Sequence, residues 1–293
     1  ILVLAYIAAS LRDQGHLVKI IDYEVNGWEM SRAGDDIKSF RPDLIGMTAY
    51  ITNMRRCASV AAIAKQVRPE CTIVFGGPQV TIFSEEAFHS PDVDIVVLSE
   101  GEVIIRNVMN ALGNDDELSR VKGIWFRRQD GEIEKNAREI LVDDLDIFPP
   151  PALDLFEMKK YFPPVYIRGK KVAHLLTSRG CPFQCTFCET KLTFGRSLRF
   201  HSIDRVLDEI EKLLARGYTG IQFYDDIFTA NAQRTTQFCN AIIQRKMKFE
   251  WMCYTRTNTV RPEILALMKK AGCYLISYGI ETADDDLLKI IKK

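Results

Sequence analysis

Three cysteines, Cys181, Cys185 and Cys188, fall within one short run, Ser178-Arg179-Gly180-Cys181-Pro182-Phe183-Gln184-Cys185-Thr186-Phe187-Cys188. Thiolates are soft metal ligands, and the glycine, proline and glutamine between them describe a loop rather than a core element. Structural zinc closes with four protein ligands, whereas an iron-sulfur cluster held by three cysteines leaves one iron open to a small molecule. Zinc would need a fourth ligand, for which His201 is the candidate. The third alternative is plain packing, since free cysteine behaves as a small hydrophobe. Disulfides are disfavoured, because nothing else in the chain indicates an oxidising compartment.

The elements around the loop alternate strand and helix. Lys171 to Thr177 is a short apolar run, and Ser202 to Gly217 carries a helical stripe of Ile203, Val206, Leu207, Ile210, Leu213 and Leu214. Ser202 suits the N-cap, Asp204 the first turn and Gly217 the end of that helix. Further strands are expected at Gly220–Tyr224, Phe249–Tyr254 and Cys273–Gly279, with helices at about 231–246 and at 262–271. Pro262 fits a first helical turn and Gly272 a C-cap. Four β/α turns of a barrel result, and barrel enzymes place their chemistry on loops at the C-terminal strand ends. Those ends read Tyr224-Asp225-Asp226, Thr255-Arg256-Thr257-Asn258 and Gly279-Ile280-Glu281-Thr282, besides the cysteine loop.

The spacing Cys-x3-Cys-x2-Cys, with an aromatic residue before the last cysteine, resembles the signature of the radical S-adenosylmethionine (SAM) enzymes. The resemblance implies a [4Fe-4S] cluster on Cys181, Cys185 and Cys188, SAM chelating the fourth iron, and Phe187 near its adenine. It also implies reductive cleavage of SAM to methionine and a 5'-deoxyadenosyl radical, with an electron donor such as flavodoxin or ferredoxin. Asp225 and Asp226, with Tyr224 beside them as a further cofactor-binding candidate, stand where that family has a Gly-Gly-Glu for the SAM amino group. By the same resemblance Arg256 meets the SAM carboxylate and Glu281 the ribose hydroxyls. A carboxylate accepts from ammonium or hydroxyl groups, and arginine offers a planar fork to a carboxylate. The alternative for each is a surface salt bridge or a helix cap.

The N-terminal part repeats the alternation. Leu17–Asp22, Asp43–Thr48, Cys71–Gly76 and Asp94–Leu98 are short branched-apolar runs, each followed by a helical stretch. Such strands predict a doubly wound, Rossmann- or flavodoxin-like parallel sheet covered on both faces, with ligands bound beyond the carboxyl ends. Those ends read Thr48-Ala49-Tyr50, Gly76-Gly77-Pro78-Gln79-Val80-Thr81 and Ser99-Glu100-Gly101-Glu102. A glycine pair lets backbone approach a bulky ligand. The combination resembles the cobalamin-binding (B12) domain that precedes the barrel in one radical SAM class. That resemblance puts Thr48, Tyr50, Gly76 and Gly77, with Pro78, Glu100 and Gly101 beside them, around the slot for the nucleotide tail. A bare flavodoxin-like domain without cofactor is the alternative. The order of this domain, a hairpin near Gly123–Asn136, a proline-rich linker and the cysteine loop resembles the same class over nearly the whole chain.

Three departures qualify the match. No Asp-x-His-x-x-Gly loop is present, and none of His16, His89, His174 and His201 sits in such a context, so the axial cobalt ligand is undetermined. Before Ile1-Leu2-Val3 a first strand is expected and missing. Only four of the six barrel strands usual in this family precede Lys293, and an open parallel edge is a liability. Both ends therefore read as cut.

With 39 basic and 39 acidic residues the chain has no net charge to attract nucleic acid or anionic membrane. No apolar run reaches the ~20 residues of a membrane span. The apolar start reads as a buried first helix rather than a signal peptide, since it lacks a basic n-region. Length suits two domains at roughly 150 residues each: 1–120 for cobalamin, 121–165 for hairpin and linker with Pro149-Pro150-Pro151 and Pro163-Pro164, and 166–293 for the barrel. Cys57, Cys71, Cys239, Cys253 and Cys273, with Trp125 and Trp251, are expected in the core. The expectation is a cytoplasmic, anaerobic enzyme acting on a small molecule, in which the radical abstracts hydrogen and methylcobalamin supplies a methyl group to carbon. The same domain pair also resembles the anaerobic magnesium-porphyrin cyclases, and a noncatalytic cobalamin carrier or sensor is the reading from outside the enzymes.

Overall fold

The computed structural model describes residues 2–163, 166–169 and 171–293; Ile1 and Pro164, named above, lie outside the described residues. The chain divides into two compact units. One runs to Leu141 and adds Phe148–Tyr161; the other takes Val142–Ile147 and Phe162–Lys293.

In the first unit the order is α1 (Leu2–Asp13), α2 (Ala33–Phe40), β1 (Leu44–Thr48), α3 (Met54–Val67), β2 (Thr72–Gly76), α4 (Pro78–Ile82), α5 (Ser84–Ala87), β3 (Ile95–Val97), α6 (Gly101–Asn110), α7 (Asp115–Leu118), β4 (Ile124–Arg127) and β5 (Ile133–Lys135). Strands β1, β2 and β3 are parallel, with Thr48 in register with Gly76. The sheet is not parallel throughout: the hairpin β4–β5 continues it antiparallel, in the order β1-β2-β3-β4-β5. Alternate residues serve opposite faces. Ile73, Phe75 and Val96 pack with Ile37, Ala61 and Ala64 of α2 and α3, whereas Val74, Ile95 and Val97 pack with Leu11, Ile104 and Val108 of α1 and α6. Leu17–Asp22 forms no strand. Its Val18 and Ile20 are used against Ala8, Ala9 and Ala152, and its backbone has no ladder partner among the described residues.

The second unit contains β6 (Val172–Leu175), β7 (Ser178–Arg179), α8 (Thr190–Thr193), β8 (Arg199–Phe200), α9 (Ile203–Ala215), β9 (Gly220–Phe223), α10 (Ala232–Gln244), β10 (Glu250–Thr255), α11 (Pro262–Lys270), β11 (Cys273–Tyr278) and α12 (Asp285–Ile290). Strands β6, β9, β10 and β11 form one parallel sheet in that order, and β7 and β8 make a short antiparallel ribbon beside the cysteine loop. Ser202 caps α9 by accepting from the Arg205 amide, and Pro262 opens α11. Gly272 has φ +97°, and a Cβ there would lie 2.4 Å from the Phe249 carbonyl, so only glycine turns the chain from α11 into β11. Phe223, Phe228, Phe238 and the fully buried Trp251 pack ring against ring between the sheet and α10. The five cysteines outside the motif are buried, as expected of core residues.

Candidate functional site

The sheet of the second unit ends in the loops that carry the polar residues. Just past β9, Asp225 turns inward and is 1% exposed. Its carboxylate accepts from the Thr177 amide at 3.1 Å, from Thr177 Oγ1 at 2.7 Å and from Ser178 Oγ. Burial raises its pKa, and these hydrogen bonds oppose the rise. Arg234 of α10 donates to the Thr177 carbonyl at 3.2 Å. Asp225 thus ties the segment leading into the cysteine loop to the neighbouring strand.

Gly180 begins the loop with φ +88°, pressed against the Ser197 carbonyl. Cys181 donates its amide to the Gly195 carbonyl at 3.2 Å, Cys188 to Cys185 at 3.3 Å, and Thr186 to Ile291 at 3.0 Å. Arg199 ties the loop's far side by donating to the Phe194 carbonyl at 3.0 Å and the Val142 carbonyl at 2.8 Å. Cys185 is buried, and Cys181 and Cys188 are half-buried.

Asp226 points the other way and is exposed. Thr190 Oγ1 lies 3.4 Å both from its carboxylate and from Cys188 Sγ. Crowding by protein, and then the charge of Asp225, push the Asp226 carboxyl up to about 6. Burial also raises the Cys181 thiol, with Asp226, Cys188 and Cys185 adding to the rise. The Cys181 thiol and the Asp226 carboxyl, each disfavoured as an anion where it stands, are groups that a bound cation would satisfy.

Among the described residues no group of three or more His, Cys, Asp or Glu is arranged to hold a single metal ion. A cubane cluster takes one thiolate per iron, so its three sulfurs need not converge on a point, and the loop fits that group. Zinc closed by His201 does not fit. His201 is buried with Nδ1 3.0 Å from Asp146 Oδ1, and burial pushes its pKa down to about 4.

The remaining predicted residues surround the loop. Arg256, 5% exposed, donates from Nη1 to Cys185 Sγ at 3.0 Å and covers the Phe183 ring at 4.0 Å. Phe187 is exposed, with Lys293 Nζ 6.0 Å from its ring centroid. Glu281, at φ +66°, pairs with that same Lys293 at 3.0 Å. Tyr224 lies between His174 and Tyr254, with ring centroids at 5.0 and 5.8 Å. Sequence reasoning missed Thr177, Ser178 and Thr190. The first two carried a signal, as a polar pair at the C-terminal end of a barrel strand; nothing marked Thr190.

In the first unit, Gly77 has φ +100°, and a Cβ would meet the Ala49 carbonyl and Thr48 Cγ2 at 2.9 Å. Gly76 differs: its Cβ would find only Val97, at 3.9 Å, so packing does not demand glycine there. Its bare Cα, in register with Thr48, leaves room over the strand ends, and Tyr50 and Ile51 beyond β1 are exposed. Such a backbone-lined, partly apolar shelf fits a bulky tail. Pro78 sits in the first turn of α4, Glu100 at the start of α6, and Gly101 packs on Ile7 of α1, which a Cβ would meet at 2.9 Å.

Residues 2–109 match the B12 binding domain family and residues 175–293 the radical SAM superfamily. The chain is 35% identical over 292 residues to an uncharacterized methyltransferase of Pyrococcus horikoshii, covering 99% of this chain and 62% of that protein. It is 30% identical over 298 residues to the anaerobic magnesium-protoporphyrin IX monomethyl ester cyclase of Rubrivivax gelatinosus, covering 99% of this chain and 53% of that protein. The chain therefore spans under two thirds of the length of these curated relatives. Among solved structures, the cobalamin-dependent SAM radical enzyme OxsB with aqua-cobalamin bound superposes with a TM-score of 0.84 at 22% identity, covering all of this chain and 43% of OxsB. That likeness carries the fold, and the two matched families lie in the order expected from the sequence. The chain therefore carries a B12-binding domain followed by a radical SAM domain.

Proposed function

We propose that the protein is a cobalamin-dependent radical SAM methyltransferase, with residues 1–120 holding cobalamin, 121–165 linking, and 166–293 forming the SAM-cleaving part. The observation that carries this is the three-cysteine loop at the C-terminal ends of a parallel sheet, with Arg256 on the Cys185 sulfur and Asp226 linked through Thr190 to Cys188, in a chain that also has the glycine-paired B12-type sheet. When bound, the cluster and SAM supply a 5'-deoxyadenosyl radical and cobalamin supplies the methyl group. The chain's own residues position and shield. Asp225 with Thr177 and Ser178 fixes the entry to the cysteine loop. Asp226 is the acceptor for the SAM ammonium, Phe187 packs on its adenine, and Glu281 accepts from its ribose. Thr48, Tyr50, Gly76 and Gly77 line the slot for the cobalamin tail. A reduced flavodoxin or ferredoxin in the cytoplasm delivers the electron, and the substrate is a small molecule.

The similarity to a cyclase supports a second reading, oxidative ring closure after the same radical step. The test is anaerobic reconstitution with iron, sulfide and hydroxocobalamin, followed by SAM and a strong reductant. 5'-Deoxyadenosine with a bound corrinoid spectrum is expected, and Cys185→Ala is expected to abolish both iron and cleavage. A product heavier by a CH2 unit marks methylation; one without it marks cyclisation. Absence of 5'-deoxyadenosine under these conditions overturns the proposal in favour of a noncatalytic carrier.

A further inference from the structure

Arg256 follows β10 and is held before any cofactor binds. Its carbonyl accepts from Thr259 Oγ1 at 2.9 Å, and Thr259 closes a triangle of hydroxyls with Thr229 and Thr255, both buried. Its Nε lies 3.3 Å from Asn258 Oδ1, and the guanidinium lies on the Phe183 ring at 4.0 Å. One of its two terminal nitrogens, Nη1, donates to Cys185 Sγ at 3.0 Å, inside the protein. With Nε and Nη1 both engaged and its plane covered by an aromatic ring, the guanidinium has neither two-nitrogen edge fully open for bidentate pairing with a carboxylate, and its charge is fixed on the sulfur.

We propose that Arg256 is a positioning and tuning residue for the cluster: it keeps its hydrogen bond to the Cys185 thiolate when the cluster is bound and raises the cluster's reduction potential, instead of clamping the SAM carboxylate. The inference rests on the cluster reading above. Reduction adds one electron to the cluster and its thiolates, and a fixed cationic donor on one thiolate stabilises that added negative charge; hydrogen bonds to cluster sulfurs are an established lever on potential. No proton moves in this account. Phe183, inside the motif, acquires a role as the platform on which the guanidinium is oriented and shielded from water.

The experiment is a reductive titration of the reconstituted protein without SAM, monitored by electron paramagnetic resonance, for wild type, Arg256→Met and Arg256→Lys, with iron content and SAM affinity measured in parallel. Wild-type iron and a reducible signal test the cluster reading; the potentials test Arg256. In Arg256→Met the reduction equilibrium is expected to become about tenfold less favourable, a fall of about 59 mV for one electron. Arg256→Lys, which keeps the charge but not the fork, is expected to recover part of it, and serves alone if the methionine variant fails to hold iron. An unchanged potential in an iron-loaded variant overturns the proposal, and with SAM affinity down tenfold it returns Arg256 to the carboxylate.

Discussion

Gly180→Ala separates the geometry of the cysteine loop from the stability of the sheet that carries it. Gly180 has φ +88°, where an L-residue costs roughly 1–2 kcal/mol. A Cβ would stand 2.2 Å from the Ser197 carbonyl oxygen and 3.2 Å from that of Phe194. Easing the first contact to an ordinary separation moves backbone by about 1 Å or more. Since Cys181 donates to the Gly195 carbonyl on the same segment, that hydrogen bond is lost as well, at roughly 0.5–1.5 kcal/mol. The loop conformation that presents the three sulfurs is then disfavoured by about 2–3 kcal/mol, a factor of roughly 30–150 in occupancy. Strands β6 and β9 are untouched, so the unit should still fold. Gly217→Ala is the control, because its φ of +81° carries similar strain with nothing within 4 Å of the added carbon. Iron and sulfide per chain are measured after anaerobic reconstitution at limiting iron, with a thermal melt of the apoprotein. Gly180→Ala should lose most of its iron with a modest change in Tm, and Gly217→Ala should keep it. Equal iron in all three proteins refutes the steric account, and so does equal loss in both variants.

Asp225→Ala leaves two hydroxyls and an amide without their buried acceptor and should cost about 3 kcal/mol, read as a lower Tm together with poorer iron loading; an unchanged melt would remove Asp225 from its anchoring role. The fold should weaken in mild acid. His174 and His201 are both pushed down by burial to about 4, from an ordinary 6.5, so their contribution is complete above pH 6.5 and is lost as pH falls toward 4. For the 2%-exposed His201 the loss is at most about 3 kcal/mol, and urea midpoints at pH 7.5 and pH 5 should differ in that direction, whereas equal midpoints would contradict it. Gly77→Leu puts a side chain where a Cβ already meets Ala49 and Thr48 at 2.9 Å; corrinoid uptake followed by absorbance should fall while iron content stays at the wild-type level, and normal uptake would free Gly77 from the proposed slot.

The parts of the fold written in local pattern were legible. The stripe from Ile203 to Leu214, capped by Ser202, is α9, and the short apolar runs at 220, 250 and 273 are strands of one parallel sheet. What failed depends on partners far away in sequence. Leu17–Asp22 has the composition of a strand, but its apolar side chains are used without its backbone entering a ladder. The β4–β5 hairpin was visible as a hairpin, yet its edge and direction were not. Ile124 and Phe126 join one core while Trp125 joins the other, and only the sheet reveals both faces. At the site, spacing marked the cysteine loop and the place after a strand marked the acidic pair, but neither revealed the opposite orientations of Asp225 and Asp226. Adjacent residues beyond a strand point apart, and burial alone decides which carboxylate is wired into the scaffold.

The short segment Val142–Ile147 has a consequence for how these two units can be inherited. It belongs to the second unit, although Phe148–Tyr161, which follows it, belongs to the first. Asp146 within it accepts from the Ser202 amide at the head of α9, its backbone carbonyl takes Arg205 at 2.8 Å, and Leu145 is fully buried. The polypeptide therefore changes unit three times, so each unit is discontinuous in sequence. No single recombination point transfers one of them whole. A graft beginning at Phe162 would leave behind the carboxylate that anchors α9, and one beginning at Val142 would carry along a piece of its neighbour. Exchange of the second unit among relatives is thus constrained to splices that respect both pieces, a restriction that an ordinary flexible linker would not impose.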